Sequence, residues 1–349
     1  MLFLISLVLA ACSTSRSKLD LLKLPKGFEI EFFAENLPNA RTMVLGDEGT
    51  VFVGTRTAGN VYAVKDGKHF IIGKDMNMPN GLAFHNKALY VAVVDQILRF
   101  DDIENNLANP PEAVIIRDDL PDDSHHGWRF IAFGPDGRLY ISIGAPCNIC
   151  LEEDYAQIRS MNADGSDERV EAKGVRNSVG FTWHPSSKKL WFSDNGRDWL
   201  GDDSPPDEIN LLEYQGQHFG FPYCHGGIIQ DSEFNQKTCD KFSPPIWPLE
   251  AHVAPLGIAF YTGKQFPKEY HNQLFVAEHG SWNSSEKKGY RIMMGRLVGE
   301  NIRYETFISG WLKDDNVWGR PAYLLVLKDG SLLISDDQAG AIYRLIYKK

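Results

Sequence analysis

Short apolar runs recur along the chain in pairs, and each pair is separated by a turn rich in Gly and Asp. Runs of this length that are joined by turns predict β-strands. Six copies of the pair occur, at 42–45 with 51–54, 81–84 with 89–92, 130–133 with 139–142, 180–185 with 190–193, 257–260 with 274–277 and 323–326 with 332–335. Several copies continue into a third strand, as at 60–64 and 340–345.

The spacing of these copies predicts an all-β fold, a six-bladed β-propeller. Copies start about 40 to 80 residues apart, and no convincing amphipathic helix lies between them. A small sheet of this kind cannot bury both faces alone, so neighbouring blades stack, with aromatic side chains filling the gaps. Another all-β sandwich or barrel is the alternative. Two stretches, 194–255 and 279–319, break the spacing and predict long loops on the propeller faces, where functional residues concentrate.

Composition agrees with a large folded core. Of 349 residues, 43% are hydrophobic and 12% aromatic, which excludes a disordered chain. Length alone favours two or three domains. Propellers instead grow by adding blades around one axis, so we expect a single propeller over 21–349 after a signal and tether at 1–20.

The charge balance narrows the partners. The net charge is −10, from 36 basic and 46 acidic residues, and there is no run of Lys or Arg. Phosphate binding needs a positive footprint, so nucleic acid is not an expected partner. No apolar run reaches the 18 or so residues of a membrane span.

The first residues predict export. Met1 to Ala11 form a short apolar stretch, and Leu9-Ala10-Ala11-Cys12 resembles a bacterial lipoprotein box. Cys12 would then be the lipidated N-terminus, tethering a periplasmic protein to the outer membrane through the polar segment 13–18. The alternative is a buried apolar N-terminal strand.

The other cysteines fit an oxidising compartment. Four remain after Cys12, and an even number in an exported protein predicts two disulfides. We expect Cys147–Cys150 and Cys224–Cys239, each closing a loop. No βαβ pattern surrounds the first pair, as a thioredoxin-like motif would need, and the second pair lacks zinc-ligand spacing.

Three polar loops precede first strands of the predicted blades, and their side chains should meet at the channel mouth. They contribute His125 before the third copy, Arg176 before the fourth and Arg320 before the sixth. Histidine beside carboxylates can act as a general base, and arginine binds anions or carbonyl oxygens. Each residue alone fits a polar turn or an inter-blade salt bridge, but their convergence favours a site.

An acid-rich stretch from 194 to 208 is the candidate metal site. It includes Gly196, Arg197, Asp207 and Glu208, and carboxylates with backbone carbonyls suit Ca²⁺. A solvated acidic loop is the alternative. Lys287 and Lys288 follow the fifth copy and are either cationic ligands or surface charges.

Several stretches together resemble a known family. They are 125–129 (HHGWR) with 144–150 (GAPCNIC), 174–177 (GVRN), 277–283 (AEHGSWN) and 333–344 (LISDDQAGAIYR). On these the chain is similar, from Leu24 to Tyr347, to the soluble PQQ-dependent sugar dehydrogenases, the glucose/sorbosone dehydrogenase family, and most of all to its L-sorbosone dehydrogenase type.

The resemblance implies pyrroloquinoline quinone (PQQ) bound beside Ca²⁺ over the mouth of a six-bladed propeller. By resemblance His125 is the general base and Arg176 a catalytic residue. Cofactor contacts fall to Arg176, Asn177, Lys288 and Arg320, with Lys287 the rival of Lys288. The backbone carbonyls of Gly196 and Arg197 would hold the calcium ion.

The predicted function is therefore oxidation of an aldose or aldehyde sugar at C1. Hydride would pass to the quinone, and electrons then to a quinone or cytochrome acceptor, between which the sequence does not choose. One alternative is a metal-dependent lactonase-type propeller hydrolase, which needs converging carboxylates and Asn side chains. Another is a non-catalytic binding propeller of the cell envelope, which has no need of His125, Arg176 and Arg320 together.

Overall fold

The computed structural model describes residues 18–298 and 301–348, and β-strands dominate this part of the chain. The predicted signal segment and Cys12 lie outside it. Among these residues lie three short 3-10 helices, at Ile103–Asn105, Cys239–Lys241 and Lys268–Tyr270. None of the helices in the described ranges is long and apolar enough to cross a membrane.

The strands of the first three blades follow one another along the chain. After β1 (Phe28–Ala34), blade 1 contains β2 (Ala40–Leu45), β3 (Val51–Thr55), β4 (Val61–Lys65) and β5 (Lys68–Gly73). Blade 2 contains β6 (Gly81–His85), β7 (Ala88–Ala92), β8 (Ile97–Phe100) and β9 (Val114–Arg117). Blade 3 contains β10 (Ile131–Phe133), β11 (Leu139–Ile143), β12 (Gln157–Met161) and β13 (Arg169–Lys173).

Blades 4 and 5 carry the longer insertions. Blade 4 begins with β14 (Phe181–Trp183), β15 (Leu190–Asp194) and β16 (Glu208–Leu211). The chain then adds β17 (Gln217–His218) to the edge of blade 3, forms the hairpin β18 (Cys224–His225) and β19 (Ile229–Gln230), and completes blade 4 with β20 (Trp247–Pro248). Blade 5 contains β21 (Pro255–Phe260), β22 (Leu274–Glu278), β23 (Arg291–Val298) and β24 (Asn301–Ile308).

Blade 6 is built from both ends of the chain. A hairpin, β25 (Leu312–Lys313) and β26 (Asn316–Val317), leads into β27 (Pro321–Val326), β28 (Leu332–Asp336) and β29 (Ala341–Tyr347). The fourth strand of this sheet is β1, antiparallel to β29 with Phe28 opposite Tyr347. Backbone hydrogen bonds between the N-terminal and C-terminal strands therefore close the ring.

Aromatic and aliphatic side chains fill the space between blades, as the sequence predicted. Between blades 3 and 4, the rings of Phe130 and Phe181 meet edge-to-face with centroids 4.6 Å apart. Phe52 of blade 1 stacks on Phe84 of blade 2 at 5.8 Å. Such burial at every blade interface supplies the main driving force for folding.

Glycines let the innermost strands approach one another closely. A Cβ at Gly81 would overlap the carbonyl oxygen of Arg129, and one at Gly180 would overlap that of Leu256. Both glycines lie at the start of a blade, beside the first strand of the next blade. Only glycine permits such backbone contact around the axis.

The six-bladed propeller is confirmed, and each predicted strand pair corresponds to the first two strands of one blade. Both disulfides, Cys147–Cys150 and Cys224–Cys239, are also confirmed. The fourth strands of the blades were not predicted. They are short or partly exposed; β9, for example, has four residues and none of them is buried.

Candidate active site

A cavity of about 310 Å³ lies at one end of the propeller axis, where loops lead into the first strands of several blades. Its wall combines arginines, histidines, carboxylates and two tryptophans. The lining residues are Arg41, Arg56, His126, Trp128, Arg176, Asn177, Asn195, Gly196, Asp198, Asp207, His252, Ala254, Leu256, His279, Gly280, Trp282, Asn283 and Arg320.

Four guanidinium groups line this cavity, against two lining carboxylates. Arg41 lies 3.8 Å from Asp337, and Arg176 lies 3.5 Å from Asp198. Arg56 and Arg320 have no carboxylate within 4.0 Å among the described residues, and the buried Nε of Arg56 has no hydrogen-bond partner there. The cavity therefore has an excess of positive charge, which favours an anionic ligand.

Arg176 is held by a dense set of acceptors. Its Nη1 donates to the carbonyl oxygens of Gly196 (2.9 Å) and Asn195 (3.1 Å). The backbone N–H groups of Arg176 and Asn177 donate to the carboxylate of Asp194, at 2.8 and 2.6 Å. Burial lowers the pKa of Arg176, while Asp198 and Asp194 oppose that shift.

Asp336 plays the corresponding part in blade 6. It ends β28 as Asp194 ends β15, and it accepts the backbone N–H of Arg320 at 2.8 Å. The Arg320 side chain donates from Nε to the carbonyl oxygen of His279 at 3.0 Å. Two equivalent carboxylates thus fix two equivalent loops that carry cavity arginines.

The neighbouring histidines His125 and His126 occupy different environments. His126 lines the cavity, whereas His125 is exposed and lies outside the lining set, with the two ring centroids 4.1 Å apart. Nδ1 of His126 lies 2.8 Å from the carbonyl oxygen of Ala145. Because a carbonyl only accepts, Nδ1 carries the proton and Nε2 keeps its lone pair.

Both histidines are biased towards the neutral form. Burial holds the pKa of His126 well below its usual value, and the positive charge of Arg176 acts in the same direction. Partial burial and Arg176 also lower the pKa of His125. A neutral imidazole with a free Nε2 can accept a proton from a hydroxyl group in the cavity.

The residues predicted to bind metal separate into two groups. Gly196 and Asp207 line the cavity, and the Asp207 carboxylate accepts the N–H groups of Gly196 (2.7 Å) and Ala254 (2.8 Å). Burial raises the pKa of Asp207 to about 7. Glu208 lies outside the lining set and accepts hydrogen bonds from Gly226 N and Asn210 Nδ2, both at 2.9 Å.

Side chains alone do not form a metal site here. The Arg197 guanidinium pairs with the buried Asp231. Within the described ranges, no group of three or more His, Cys, Asp or Glu side chains is placed to hold a metal ion. A cation beside Gly196 would depend on backbone carbonyls and on oxygens of a bound ligand, as Ca²⁺ accepts.

The two lysines lie outside the cavity lining. Nζ of Lys288 donates to Asp202 O and to Asp203 Oδ1, both at 2.8 Å, and Lys287 pairs with Asp315 at 3.1 Å. In this arrangement Lys288 fastens one cavity loop to another. A contact between Lys288 and a cofactor stays a prediction.

Sequence reasoning missed several cavity residues. Arg41 directly precedes the apolar run 42–45 and Arg320 lies three residues before the run 323–326, so both lie near the entry to the first strand of a blade, and that shared position could have revealed Arg41. Arg56 follows the second strand of its blade, and His279 and Asp198 lie in long loops. Asp198 and His279 fall within the stretches 194–208 and 277–283, but neither was assigned a role there, and for Arg56 no local pattern indicates convergence.

Fold and site together define a class: a six-bladed propeller with an arginine-lined cavity and a neutral histidine at the channel mouth. The family described as Glucose / Sorbosone dehydrogenase matches residues 92–281. The chain belongs to this family. A protein of Borreliella burgdorferi, described as uncharacterized, is 37% identical over 366 residues, covering 100% of this chain and 96% of that protein.

Solved structures share the fold at low sequence identity. The calcium structure of the Trichoderma reesei carbohydrate-active enzyme of family AA12 is 18% identical with a TM-score of 0.80, covering 94% of this chain and 97% of that one. The holo pyranose dehydrogenase PQQ domain of Coprinopsis cinerea is 17% identical with a TM-score of 0.77, covering 93% of this chain and 97% of that one. The PQQ-bound aldose sugar dehydrogenase of Streptomyces coelicolor is 18% identical with a TM-score of 0.66, covering 93% of this chain and 99% of that one.

Proposed function

We propose that this protein is a PQQ- and Ca²⁺-dependent dehydrogenase that oxidises an aldose or aldehyde sugar at C1. One observation carries the proposal: a positively charged cavity of four arginines lies beside a neutral histidine whose Nε2 is free to accept a proton. Membership of the glucose/sorbosone dehydrogenase family supports it. So do two structures of the same fold, one described as PQQ-bound and one as a calcium structure.

The cavity residues fit a polyanionic quinone. PQQ carries three carboxylates, and Arg41, Arg56, Arg176 and Arg320 offer guanidinium groups around one space. The unpartnered Nε of Arg56 is a buried donor that such a carboxylate would satisfy. When bound, the quinone supplies an electrophilic carbon that accepts hydride from the substrate.

The same wall offers oxygen ligands for calcium. Gly196 lines the cavity, and we propose that its carbonyl and that of Arg197 hold the ion together with cofactor oxygens. Arg176 donates to the Gly196 carbonyl, so one residue links the predicted metal loop to the anion-binding wall. Positive charge from Arg176 and calcium would stabilise negative charge that develops on the quinone oxygens.

The general base is one of the two neighbouring histidines. The family resemblance points to His125, whereas burial, position in the cavity wall and the fixed tautomer favour His126. The chosen imidazole accepts the proton of the substrate hydroxyl at C1, which leaves the hydride to depart from the same carbon. A positioned base contributes roughly 10²–10⁴ in rate.

We also propose that the protein acts outside the cytoplasm, tethered by a lipid on Cys12. The lipoprotein-like box and the two disulfides support this location, because disulfides persist in oxidising compartments. Mass spectrometry of the membrane fraction, before and after Cys12→Ser, would test the lipid attachment.

Reconstitution tests the activity. Purified protein, stripped with chelator and then supplied with PQQ and CaCl₂, should reduce a redox dye in the presence of aldoses. Either addition alone should give no activity. Absence of dye reduction with a panel of aldoses and aldehydes, despite PQQ binding, would overturn the proposal.

Two matched variants then identify the base. If His126, the histidine in the cavity wall, is the base, His126→Ala should lower turnover roughly 10²–10⁴-fold while His125→Ala keeps most of it. The reverse result would assign the role to His125. Circular dichroism of both variants controls for folding.

A further inference from the structure

Two exposed tryptophans stand together at the rim of the cavity. Trp282 lines the cavity, yet 67% of its surface is exposed, and Trp199 is 69% exposed. Their ring centroids are 5.7 Å apart with the planes at 90°. The pair forms an open, L-shaped aromatic notch that continues the cavity wall outwards.

The two loops that carry these rings are fastened to each other. Asn283, next to Trp282, donates from Nδ2 to Asp198 Oδ1 at 2.5 Å, and Asp198 precedes Trp199. Ser285 N donates to Asp202 Oδ1 at 3.0 Å, and Lys288 Nζ donates to Asp202 O at 2.8 Å. The notch is therefore held open by polar contacts and needs no ligand to assemble.

The conformation of the notch is unfavourable for the stability of the folded protein, and core packing does not account for it. Trp199 has φ of 71°, a left-handed backbone conformation that is unfavourable for a bulky side chain. Both indoles also leave most of their apolar surface in water. Large exposed apolar groups that border a cavity mark binding surfaces.

The occupant must suit flat, uncharged aromatic faces that are continuous with the reaction cavity. A pyranose ring presents an apolar face of C–H groups that packs on indole, while its hydroxyl groups at the edge stay hydrated. Because Trp282 belongs to both the cavity wall and the notch, one molecule can occupy both spaces. A second sugar ring linked to the reacting unit meets this requirement.

We propose that Trp199 and Trp282 form a subsite for the next sugar ring of a disaccharide or longer oligosaccharide whose reducing-end unit enters the cavity. This inference rests on the proposed sugar dehydrogenase function and deepens it. It predicts that the enzyme uses maltose or cellobiose more efficiently than glucose, although the reacting unit is the same.

Trp199→Ala is the informative variant, because Trp199 lies outside the cavity lining. We expect kcat/KM for the preferred disaccharide to fall about tenfold and that for glucose to stay within about twofold. Trp199→Phe should restore most of the loss. Tyr214→Ala removes a 63% exposed aromatic ring elsewhere and should change neither value.

Binding to the apoprotein gives a readout that does not need turnover. Calorimetric titration with methyl maltoside and methyl cellobioside should show binding that Trp199→Ala weakens about tenfold. The wild-type protein could bind these glycosides and yet oxidise no sugar. If Trp199→Ala then loses the binding, the subsite is supported and the dehydrogenase function is rejected.

Three results would overturn the subsite. The first is an equal effect of Trp199→Ala on glucose and disaccharides, and the second is no effect on either. The third is a change confined to the KM of the electron acceptor, which would assign the notch to acceptor docking instead.

Discussion

Asn148 holds the Arg176 guanidinium through two of its atoms. Arg176 donates from Nε to the Asn148 carbonyl oxygen and from Nη2 to Asn148 Oδ1, both at 2.9 Å. The same Oδ1 accepts the backbone N–H of Asp198 at 2.8 Å. Asn148 lies inside the four-residue loop closed by Cys147–Cys150, so a small disulfide ring supports the orientation of a cavity arginine.

Removing the Asn148 side chain should weaken cofactor binding without unfolding the protein. Asn148→Ala deletes one acceptor from the buried guanidinium, and hydrogen bonds to charged groups contribute about 1.5–3 kcal/mol. We expect a rise of at least about tenfold in the dissociation constant for PQQ, measured by titration of the apoprotein. Asn148→Asp retains the acceptor and should be less impaired, whereas equal loss in both variants would refute this account.

Arg56 should be needed for anion binding. Arg56→Met removes a guanidinium that has no carboxylate partner within 4.0 Å among the described residues, so the folded protein loses no ion pair there. PQQ affinity should fall about tenfold or more, and its dependence on salt should weaken. Arg303, whose side chain is 76% exposed and pairs with Glu305 at 3.2 Å, offers a surface control: Arg303→Met should leave affinity unchanged.

The pH dependence of turnover should report the ionisation of His126. The base acts in its neutral form, so kcat/KM rises with pH through its pKa and is constant above it. Because burial and Arg176 lower the pKa of His126, the rising limb should be centred below the ordinary histidine value of about 6.5. A rising limb centred above pH 7 would contradict a neutral His126 in the cavity wall as the base.

His279 should make the protein less stable in mild acid. It lies 2.8 Å from Asp337, and burial lowers its pKa to about 4. In the unfolded chain the pKa of His279 returns to about 6.5. Between about pH 6.5 and pH 4 the unfolded state therefore binds more protons than the folded state, so the free energy of unfolding falls as the pH falls. The effect is about 2 kcal/mol between pH 7 and pH 5.

A variant isolates the contribution of His279. Gln at this position can still donate a hydrogen bond to Asp337 but does not titrate. Thermal unfolding of the apoprotein should therefore show a shallower loss of Tm towards pH 5 in His279→Gln than in the wild type. Parallel curves for the two proteins would show that His279 does not carry the effect.

Inner strands were predictable because they are buried on both faces and read as continuous apolar runs, as in β3 and β28. Arg176 and Arg320 were predictable as cavity residues because each lies in a loop that leads into the first strand of a blade. The disulfides followed from cysteine number and loop length.

The remainder depends on contacts between distant parts of the chain. No local sequence pattern predicts that β1 pairs with β29, or that Arg56 and Arg320 line the same cavity. The choice between His125 and His126 depends on one backbone conformation: His126 adopts a left-handed φ of 52°, and its ring is the one in the cavity wall. Adjacent identical residues give no sequence signal for that choice.

Because β1 pairs with β29, the cavity is complete only when both ends of the chain are folded into blade 6. Ser335 donates to the carbonyl oxygen of Arg41, 294 residues earlier, and Asp337 faces the Arg41 side chain at 3.8 Å. Two of the four cavity arginines, Arg41 and Arg320, thus belong to blades 1 and 6, which contact each other once the pairing of β1 with β29 has closed the ring. A nascent or truncated chain that lacks β1 or β29 cannot close the ring in this way. We therefore expect ligand binding to distinguish finished molecules from fragments.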